Sequence, residues 1–342
     1  MINMKKLILL PALAVTLWGC SEQESESNAV TSSSEMPGKG VEVKGFHSPI
    51  AEEKFQTIII NRALEALGYD VQPIQEIDYS AGYTAIAQND IQWTPVNWDP
   101  LHNEMFNNAG GNEKFFKKGY YIVGAAQGYL VDKATAEKYN IDTIDDLKDP
   151  EIAKLFDVSG DGKADLTGCQ PGWGCEKVIN HQLDAFDLRN TVNHVQGSYA
   201  AIISDTIQRY KAGKPVVYYT WTPYWVSGVL IPGEDVVWLE VPYSAHPQGI
   251  DTELANGKNY GFSVNSERIV ANLEFAEANP AAAKLFEIAS LNINAVSAQN
   301  KLIADGENTV ADINRHVDNW IKKNKDTFNS WLKEAREAAV QQ

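Results

Sequence analysis

The chain has 342 residues, of which 44% are hydrophobic, and it carries a formal net charge of −16 at pH 7. A chain of this length typically divides into two domains rather than forming one enlarged core. The excess of acidic residues argues against nucleic acid or an anionic lipid surface as the main partner, because such contacts require clusters of Lys and Arg.

The N-terminus, MINMKKLILLPALAVTLWGC, has a basic start followed by an apolar stretch that is too short to span a bilayer. It predicts a secretory signal over residues 1–19. The stretch ends at Cys20 and resembles the lipobox of bacterial lipoproteins, in which the signal is removed before a cysteine that is then lipidated. We expect an extracytoplasmic protein, periplasmic or on the cell surface, anchored to a membrane by a lipid on Cys20. A soluble secreted product, cut elsewhere, is the alternative, because Trp18 stands where a small residue is usual.

Residues 20–36 are rich in Ser and Glu and contain almost nothing that could enter a core. This composition is typical of a disordered segment. A flexible chain of this length has a reach of about 20 Å, which is enough to hold a globular domain just off a membrane surface. The segment is therefore interpreted as the tether of the lipid anchor.

The chain contains three cysteines. With Cys20 assigned to the lipid, Cys169 and Cys175 remain, close together in the glycine-containing stretch CQPGWGC and in an oxidising compartment. This arrangement predicts a disulfide, with two free thiols as the alternative.

Strand and helix patterns alternate along the rest of the chain, which indicates an α/β fold. The first series has a helix over EEKFQTIIINRALEALGY, ended by Gly68, and apolar strands at QWTPVNW and YYIVGAAQGYLVDK. The second series begins near Gln127, with helices at EKVINHQLDAFDL and SYAAIISDTIQRYKAG before the strand PVVYYTW. The C-terminal third is helical, at NPAAAKLFEIA and at DINRHVDNWIKKNKDTFNSWLKEAREAA.

This organisation predicts two α/β lobes between which the chain passes twice. Lobe 1 is expected to comprise residues 37–126 and 241–342, and lobe 2 residues 127–240, with crossovers near Ala126 and near residues 237–242. A ligand would then lie in the cleft between the lobes.

Three segments, TPVNWDPLH, DLTGCQPGWGCEKVINHQL and VVYYTWTPYW, closely resemble the glycine betaine/L-proline ABC transporter substrate-binding proteins of the bacterial osmoprotectant system. The resemblance extends from about Pro37 to the C-terminus. It implies a type II periplasmic-binding-protein fold, a glycine betaine or proline betaine ligand, and an ABC permease with its ATPase subunit as partners. It implies neither catalysis nor a required cofactor.

In that family three tryptophans surround the trimethylammonium group, and the matching positions here are Trp98, Trp173 and Trp221. A quaternary ammonium has no N–H to donate, whereas an indole face attracts its diffuse charge by ~0.5 to 2 kcal/mol. Other tryptophans, such as Trp320 and Trp331 at helical spacing, are interpreted as core residues.

The carboxylate of such a ligand needs donors, and the stretch GWGCE stands immediately before a predicted helix, where free backbone N–H groups favour an anion. Gly174 and Cys175 are the expected backbone donors. His102, four residues after Trp98, matches the carboxylate-contacting histidine of the family.

The segment DVSGDGKAD has the spacing of the first part of an EF-hand calcium loop, with the candidate ligands Asp157, Ser159, Asp161 and Asp165. Gly168 stands where the distal Glu ligand is expected. A structural calcium ion and an ordinary polar turn are both open interpretations.

Two other classes of function are considered. A secreted cysteine hydrolase would use Cys175, at a helix N-terminus, with His102, His181 or His194 as its base. A ligand-sensing or adhesion module on the same fold would bind a ligand without delivering it to a transporter.

Overall fold

The structure is a computed structural model that describes residues 35–340. The predicted signal, Cys20 and all but the last two residues of the tether lie outside the described residues. No helix of the described part is long and apolar enough to cross a membrane.

The described residues form short strands and helices that alternate along most of the chain. The strands are β1 (Glu42–Val43), β2 (Phe46–His47), β3 (Asp70–Val71), β4 (Gln75–Glu76), β5 (Trp93–Asp99), β6 (Phe115–Lys117), β7 (Ile122–Ala125), β8 (Gln127–Asp132), β9 (Ala164–Thr167), β10 (Val192–Val195), β11 (Val217–Trp221), β12 (Val236–Leu239) and β13 (Asn265–Asn272). The α-helices are α1 (Ala51–Ala66), α2 (Tyr79–Ala87), α3 (Asn103–Asn108), α4 (Lys133–Tyr139), α5 (Pro150–Ala153), α6 (Gly174–Ala185), α7 (Tyr199–Lys211), α8 (Leu273–Ala278), α9 (Pro280–Ile288), α10 (Ile293–Ala304), α11 (Val310–Lys323) and α12 (Lys325–Val340). The 3-10 helices are Gly111–Glu113, Ile144–Lys148, Lys154–Phe156 and Trp225–Gly228.

Two larger sheets organise the chain, in addition to the two-stranded sheets β1-β3 and β2-β4. Sheet I has the order β5-β13-β6, with β7 also paired to β13, and β13 is antiparallel to all three partners. Sheet II has the order β10-β9-β11-β8-β12. We call the part built on sheet I lobe 1 and the part built on sheet II lobe 2. The predicted α/β, two-lobed fold class is confirmed, while the residue boundaries given above for the lobes stay predictions.

The chain changes sheets at Ala126. Strand β7 ends at Ala125 in sheet I and β8 begins at Gln127 in sheet II, so the single strand predicted for this stretch is two strands. Thr222, which follows β11, forms two hydrogen bonds with Ala126, the residue between the two strands. Its N–H donates to the Ala126 carbonyl at 2.8 Å, and its hydroxyl accepts from the Ala126 N–H at 3.2 Å. The return crossover lies between β12 and β13.

Helix α1 forms where the sequence predicts it. Phe55, Ile59 and Ala63 repeat at helical spacing and are buried, and the helix is followed by Gly68 at a φ of +92°. The long C-terminal helical pattern is two helices, α11 and α12, separated at Asn324. Trp320 and Trp331 stack across this break with their ring centroids 5.7 Å apart.

Candidate functional site: an aromatic cavity between the lobes

A cavity with about 320 Å³ of empty space, part of it open to solvent, lies between the two lobes. Its wall contains aromatic, aliphatic and neutral polar residues but no Asp, Glu, Lys or Arg. The lining residues are Ile50, Tyr79, Trp98, Leu101, His102, Gln127, Trp173, Gly174, Cys175, Tyr219 and Trp221. All six residues predicted as ligand contacts, Trp98, His102, Trp173, Gly174, Cys175 and Trp221, therefore line one cavity, although they come from three distant segments.

Lobe 2 supplies two indole walls. Trp173 caps the N-terminus of α6 and Trp221 is the last residue of β11; their ring centroids are 5.7 Å apart and their planes cross at 79°. Tyr199 packs behind both, 4.6 Å from Trp221 and 6.1 Å from Trp173 between ring centroids. The two indoles therefore meet nearly at a right angle and are held there by a buried aromatic cluster.

Lobe 1 supplies the opposite wall. Trp98 lies near the end of β5 and is only 7% exposed, and Tyr79 is the first residue of α2. The Tyr79 ring approaches Trp173 edge-on, with the centroids 6.5 Å apart, and packs on His102 at 4.3 Å. The aromatic surface therefore continues from one lobe to the other.

Sequence reasoning did not identify Tyr79, Gln127 or Tyr219 as lining residues. Tyr219 had a usable signal, because it lies two residues before Trp221 in the same strand and alternation places both on one face. Gln127 is the β-ladder partner of Trp221, which only the strand register shows. Tyr79 had no local signal.

His102 is fixed by a tight turn that begins at Trp98. The His102 N–H donates to the Trp98 carbonyl at 2.6 Å, and the Trp98 N–H donates to His102 Nδ1 at 3.3 Å. Burial lowers the pKa of His102 to about 3, although the charge of Asp99 acts in the opposite direction. The imidazole is therefore neutral, and because Nδ1 accepts from an N–H, its proton lies on Nε2.

Asp99, the residue after Trp98, connects this turn to two neighbouring strands. Asp99 Oδ2 accepts from Lys117 Nζ at 3.1 Å and from Arg268 Nη1 at 3.0 Å. Burial raises the pKa of Asp99, but the hydrogen bond from Arg268 and the adjacent Lys117 charge outweigh it and lower the pKa overall. The turn that carries Trp98 and His102 is thereby joined to β6 and β13.

The predicted disulfide between Cys169 and Cys175 is confirmed, with the two Cα atoms 6.0 Å apart. A cysteine in a disulfide has no free thiolate, so the hydrolase alternative loses its nucleophile. His194, one of the proposed bases, instead accepts from the Cys169 N–H at 3.1 Å.

The N-terminus of α6 presents free donors. The N–H groups of Trp173 and Glu176 bond backbone carbonyls, whereas those of Gly174 and Cys175 have no partner within residues 35–340. The first N–H groups of a helix carry a partial positive charge. This end of the cavity is therefore suited to a negative group.

Two side-chain donors at the cavity are also unpaired within the described residues. Trp173 Nε1 and Gln127 Nε2 are buried without a hydrogen-bond partner, although Gln127 Oε1 accepts from the Tyr219 hydroxyl at 2.6 Å. Buried donors without acceptors cost free energy, so a polar molecule in the cavity that accepts hydrogen bonds would be stabilised.

The lobes meet at the edge of the cavity. A Cβ atom at Gly174 would lie 2.7 Å from Leu101 Cγ and 3.0 Å from the Leu101 carbonyl oxygen, so only glycine fits this approach. Nearby, Lys177 Nζ lies 2.6 Å from Glu104 Oε1. The structure therefore shows the lobes closed over the cavity.

The acidic loop of residues 157–165 lies in lobe 2, before and at the start of β9. Asp157 accepts from the N–H groups of Gly160 at 2.6 Å and Gly162 at 2.9 Å, and Asp165 Oδ2 accepts from two further loop amides. No group of three or more His, Cys, Asp or Glu side chains in the described part is arranged to hold a metal ion. Calcium binding by Asp157, Ser159, Asp161 and Asp165 stays a hypothesis.

Comparison with known proteins agrees with this geometry. Residues 45–323 match the family model described as the substrate binding domain of ABC-type glycine betaine transport systems. The chain is 57% identical over 316 residues to the glycine betaine-binding periplasmic protein OusX of Dickeya dadantii, covering 92% of this chain and 95% of that protein. It is also 57% identical over 307 residues to the glycine betaine/proline betaine-binding periplasmic protein of Escherichia coli, covering 89% and 93%.

A solved structure shares the fold. The glycine/betaine/L-proline-binding protein of Borrelia burgdorferi superposes with a TM-score of 0.68 at 17% identity, covering 87% of this chain and 99% of that one. At this identity the likeness shows the fold alone, which is the predicted periplasmic-binding-protein fold. Together with the family match over most of its length, it shows that this chain belongs to the family of substrate-binding domains of ABC-type glycine betaine transport systems.

Proposed function

We propose that this protein captures glycine betaine or proline betaine in the cavity between its lobes and delivers it to an ABC importer for osmoprotection. The observation that carries the proposal is the convergence of three buried tryptophans, Trp98, Trp173 and Trp221, on one cavity that has no charged side chain in its wall. Betaines have no net charge and are bulky at the cationic end, which matches such a cavity.

The indole faces bind the trimethylammonium end. Trp173 and Trp221 provide two walls nearly at a right angle, and Trp98 adds a wall from the other lobe. Each face contributes ~0.5 to 2 kcal/mol by cation–π attraction and also removes water from the methyl groups. Because faces from both lobes are needed, the complete cage exists only when the lobes are closed.

The donors at the other end bind the carboxylate. His102 Nε2 supplies one N–H from lobe 1, and the free amides of Gly174 and Cys175 supply two from the start of α6. A neutral imidazole suits this role. Burial lowers the pKa of His102 to about 3, so at any pH well above 3 the ring stays neutral and its N–H donor is unchanged. The disulfide of Cys175 fixes the amides in this geometry before the ligand arrives.

Isothermal titration calorimetry with a ligand panel tests the proposal. Glycine betaine, proline betaine, carnitine, choline and free proline are titrated into the purified protein. We expect one betaine per chain and far weaker binding of proline, which has N–H groups and fewer methyl groups to fill the cage. Binding of proline as tight as that of betaine, or tighter, would contradict the proposal, and so would such binding of a sugar or a peptide. A separate observation distinguishes an importer component from a sensing module: permease and ATPase genes beside the gene of this protein would favour the importer.

The location and anchoring are part of the proposal. The curated relatives are periplasmic proteins, which supports an extracytoplasmic location, and the lipobox-like end of the signal adds a membrane anchor on Cys20. We expect the parent protein to enter the detergent phase and to incorporate labelled fatty acid, and Cys20→Ala to do neither. Recovery of both proteins in the aqueous phase would rule out the anchor.

A further inference from the structure

Three glutamates are buried close to the cavity without a cationic partner. Glu52 and Glu53, in the first turn of α1, are 6% and 3% exposed, and Glu267 in β13 is fully buried. None of the three forms an ion pair with Lys, Arg or His within residues 35–340. Burying carboxylates without a cation is costly, so their position beside a ligand site needs an explanation.

Glu53 is the one that is bound directly to the cavity wall. Its Oε1 accepts from the Tyr79 hydroxyl at 2.5 Å, and its Oε2 accepts from the Ser48 N–H at 2.8 Å. The nearby Trp98 side chain also helps to lower the pKa of this carboxyl group. Glu53 therefore lies directly behind two aromatic residues, Tyr79 and Trp98, whose rings face the cavity.

Glu52 stands near the other side of the cage. Burial raises the pKa of Tyr199 and Tyr224, and the charge of Glu52 raises both further. The rings of Tyr199 and Tyr224 lie 4.6 Å and 4.3 Å from the ring of Trp221. The first turn of α1 therefore places one carboxylate behind the lobe 1 wall and a second near the aromatic residues that support the lobe 2 wall.

We propose that Glu53 is the buried counter-charge for the ligand's quaternary ammonium, and that it also positions Tyr79 and Trp98 in the cage. The inference rests on the function proposed above, because it requires a cationic group in the cavity. Cation–π attraction comes from neutral rings, whereas a carboxylate behind those rings adds a full negative charge that water screens little. Ligands of the same shape without the positive charge would gain nothing from it.

No Lys, Arg or His side chain in the described part of the chain lies within ion-pair distance of Glu53. Tyr79 and Tyr83 face it from α2, Glu52 from its own helix and Glu267 from β13. Burial lowers the pKa of the two nearby histidines, His47 and His102, which favours their neutral forms. Burial raises the pKa of Glu53 to about 7, opposed by the hydrogen bonds from Tyr79, Ser48 and Trp98. A bound cation favours the ionised carboxylate, so betaine binding near pH 7 should release protons and strengthen as the pH rises through 7.

The test uses a pair of ligands that differ only in charge. In 3,3-dimethylbutanoate a carbon atom replaces the nitrogen of glycine betaine, which keeps the shape and the carboxylate but removes the positive charge. We expect Glu53→Gln to weaken glycine betaine roughly 10- to 100-fold, the size of one charge interaction at an effective protein dielectric, and to leave 3,3-dimethylbutanoate unchanged or tighter. Glu42→Gln, the same change at an exposed position, is the control and should alter neither.

A loss of both ligands to the same extent would mean that Glu53 is only structural and would overturn the proposal. Unchanged betaine binding in Glu53→Gln would overturn it as well. If the parent itself does not bind glycine betaine, the proposed function fails instead, so the two failures are distinguishable.

A second readout needs no variant. Calorimetry of glycine betaine binding to the parent at pH 7, in two buffers of different ionisation enthalpy, counts the protons released per ligand. We expect a fractional release that disappears by pH 9, where Glu53 is already ionised. No buffer dependence at any pH between about 4 and 9 would overturn the proposal even if Glu53→Gln failed to fold, because a bound cation must lower the pKa of a carboxyl group that faces it.

Discussion

The interlobe cavity and the acidic loop of residues 157–165 are both rich in groups that could bind a ligand. The two regions differ in whether those groups already have hydrogen-bond partners within the protein. At the cavity, the amides of Gly174 and Cys175 and the side-chain donors of Trp173 and Gln127 have no partner within the described residues. In the loop, Asp157 and Asp165 are already used by backbone N–H groups of the loop itself.

This difference shows how a binding site differs from a well-formed turn. Groups that are buried and unpaired in a rigid setting raise the free energy of the empty protein, and a ligand lowers it by pairing them. Groups that are paired within their own segment would have to give up existing hydrogen bonds before they could bind an ion. The cavity is therefore expected to respond strongly to mutation and ligands, and the loop only weakly.

The largest effects are expected at the cavity, and one of them comes from closing the gap at Gly174. A methyl group in Gly174→Ala would overlap Leu101, including its backbone carbonyl, only when the lobes are closed. Crowding of this kind costs about 1 to 3 kcal/mol, and the shift would also displace the two amides that are proposed to bind the ligand carboxylate. We expect betaine affinity to fall by one to two orders of magnitude by calorimetry, with an unchanged melting temperature of the free protein. Gly197→Ala, where there is room for a Cβ, serves as control; equal affinity of the two variants would contradict the closed-state role.

His102→Ala tests the carboxylate end. Removing the Nε2 donor should weaken glycine betaine by about 1.5 to 3 kcal/mol, the contribution of a hydrogen bond to a charged group, and choline much less. Because the folded pKa of His102 is lowered to about 3 from 6.5, the donor stays neutral and its contribution to affinity stays constant between pH 5 and 8. Its contribution to folding stability is complete above pH 6.5 and is lost as the pH falls toward 3. An equal loss for both ligands would show that His102 does not face the carboxylate.

Trp173→Ala tests the aromatic end. It removes a cation–π face and apolar contact, so both glycine betaine and choline should bind more weakly by about 1 to 3 kcal/mol, whereas Trp173→Phe should cost less. Trp320→Ala removes an indole that stacks on Trp331 far from the cavity and should lower the melting temperature without changing affinity. Calorimetry measures the affinity of the three variants, and tryptophan fluorescence during heating measures their melting temperatures. Unchanged affinity in Trp173→Ala would contradict the aromatic cage.

The smallest effects are expected in the acidic loop. Asp165→Ala removes the acceptor of two loop amides and should cost about 1 kcal/mol of stability in urea unfolding, without altering betaine binding. About 1 mM calcium should shift the melting temperature of the parent by less than about 1 °C. A calcium site with a dissociation constant near 10 μM would instead stabilise by about 2.7 kcal/mol, so an upward shift of several degrees would establish the metal site.

Local patterns predicted most of the fold, and they failed where long-range pairing decided the outcome. The helical periodicity of α1 and the strand PVVYYTW were sufficient by themselves. Strand β13 was not foreseen, because NSERIVAN contains Asn, Ser, Glu and Arg and becomes a strand only by pairing with β5, β6 and β7. The apolar run around Ala126 predicted one strand, whereas it forms β7 in sheet I and β8 in sheet II.

At the site, motifs predicted residues that line the cavity, while their contacts with a ligand stay predictions. The three tryptophans, His102 and the start of α6 were identified from segments that resemble the family. Tyr79 and Gln127 lie in the wall only because α2 and β8 are brought beside Trp98 and Trp221. The role inferred for Glu53 could not be predicted either, since a Glu in the first turn of a helix is ordinarily solvent-exposed.

The uncharged wall of the cavity has a consequence for the conditions in which an osmoprotectant carrier must work. At 1 M salt the Debye length is about 3 Å, so attraction between exposed charges is largely lost. The Glu104–Lys177 pair at the cleft edge is half exposed and should be weakened in this way, whereas the buried aromatic walls and the short hydrogen bonds around the ligand are shielded from ions. The affinity for betaine should therefore persist in concentrated brine, where a site that relied on surface charge would release its ligand.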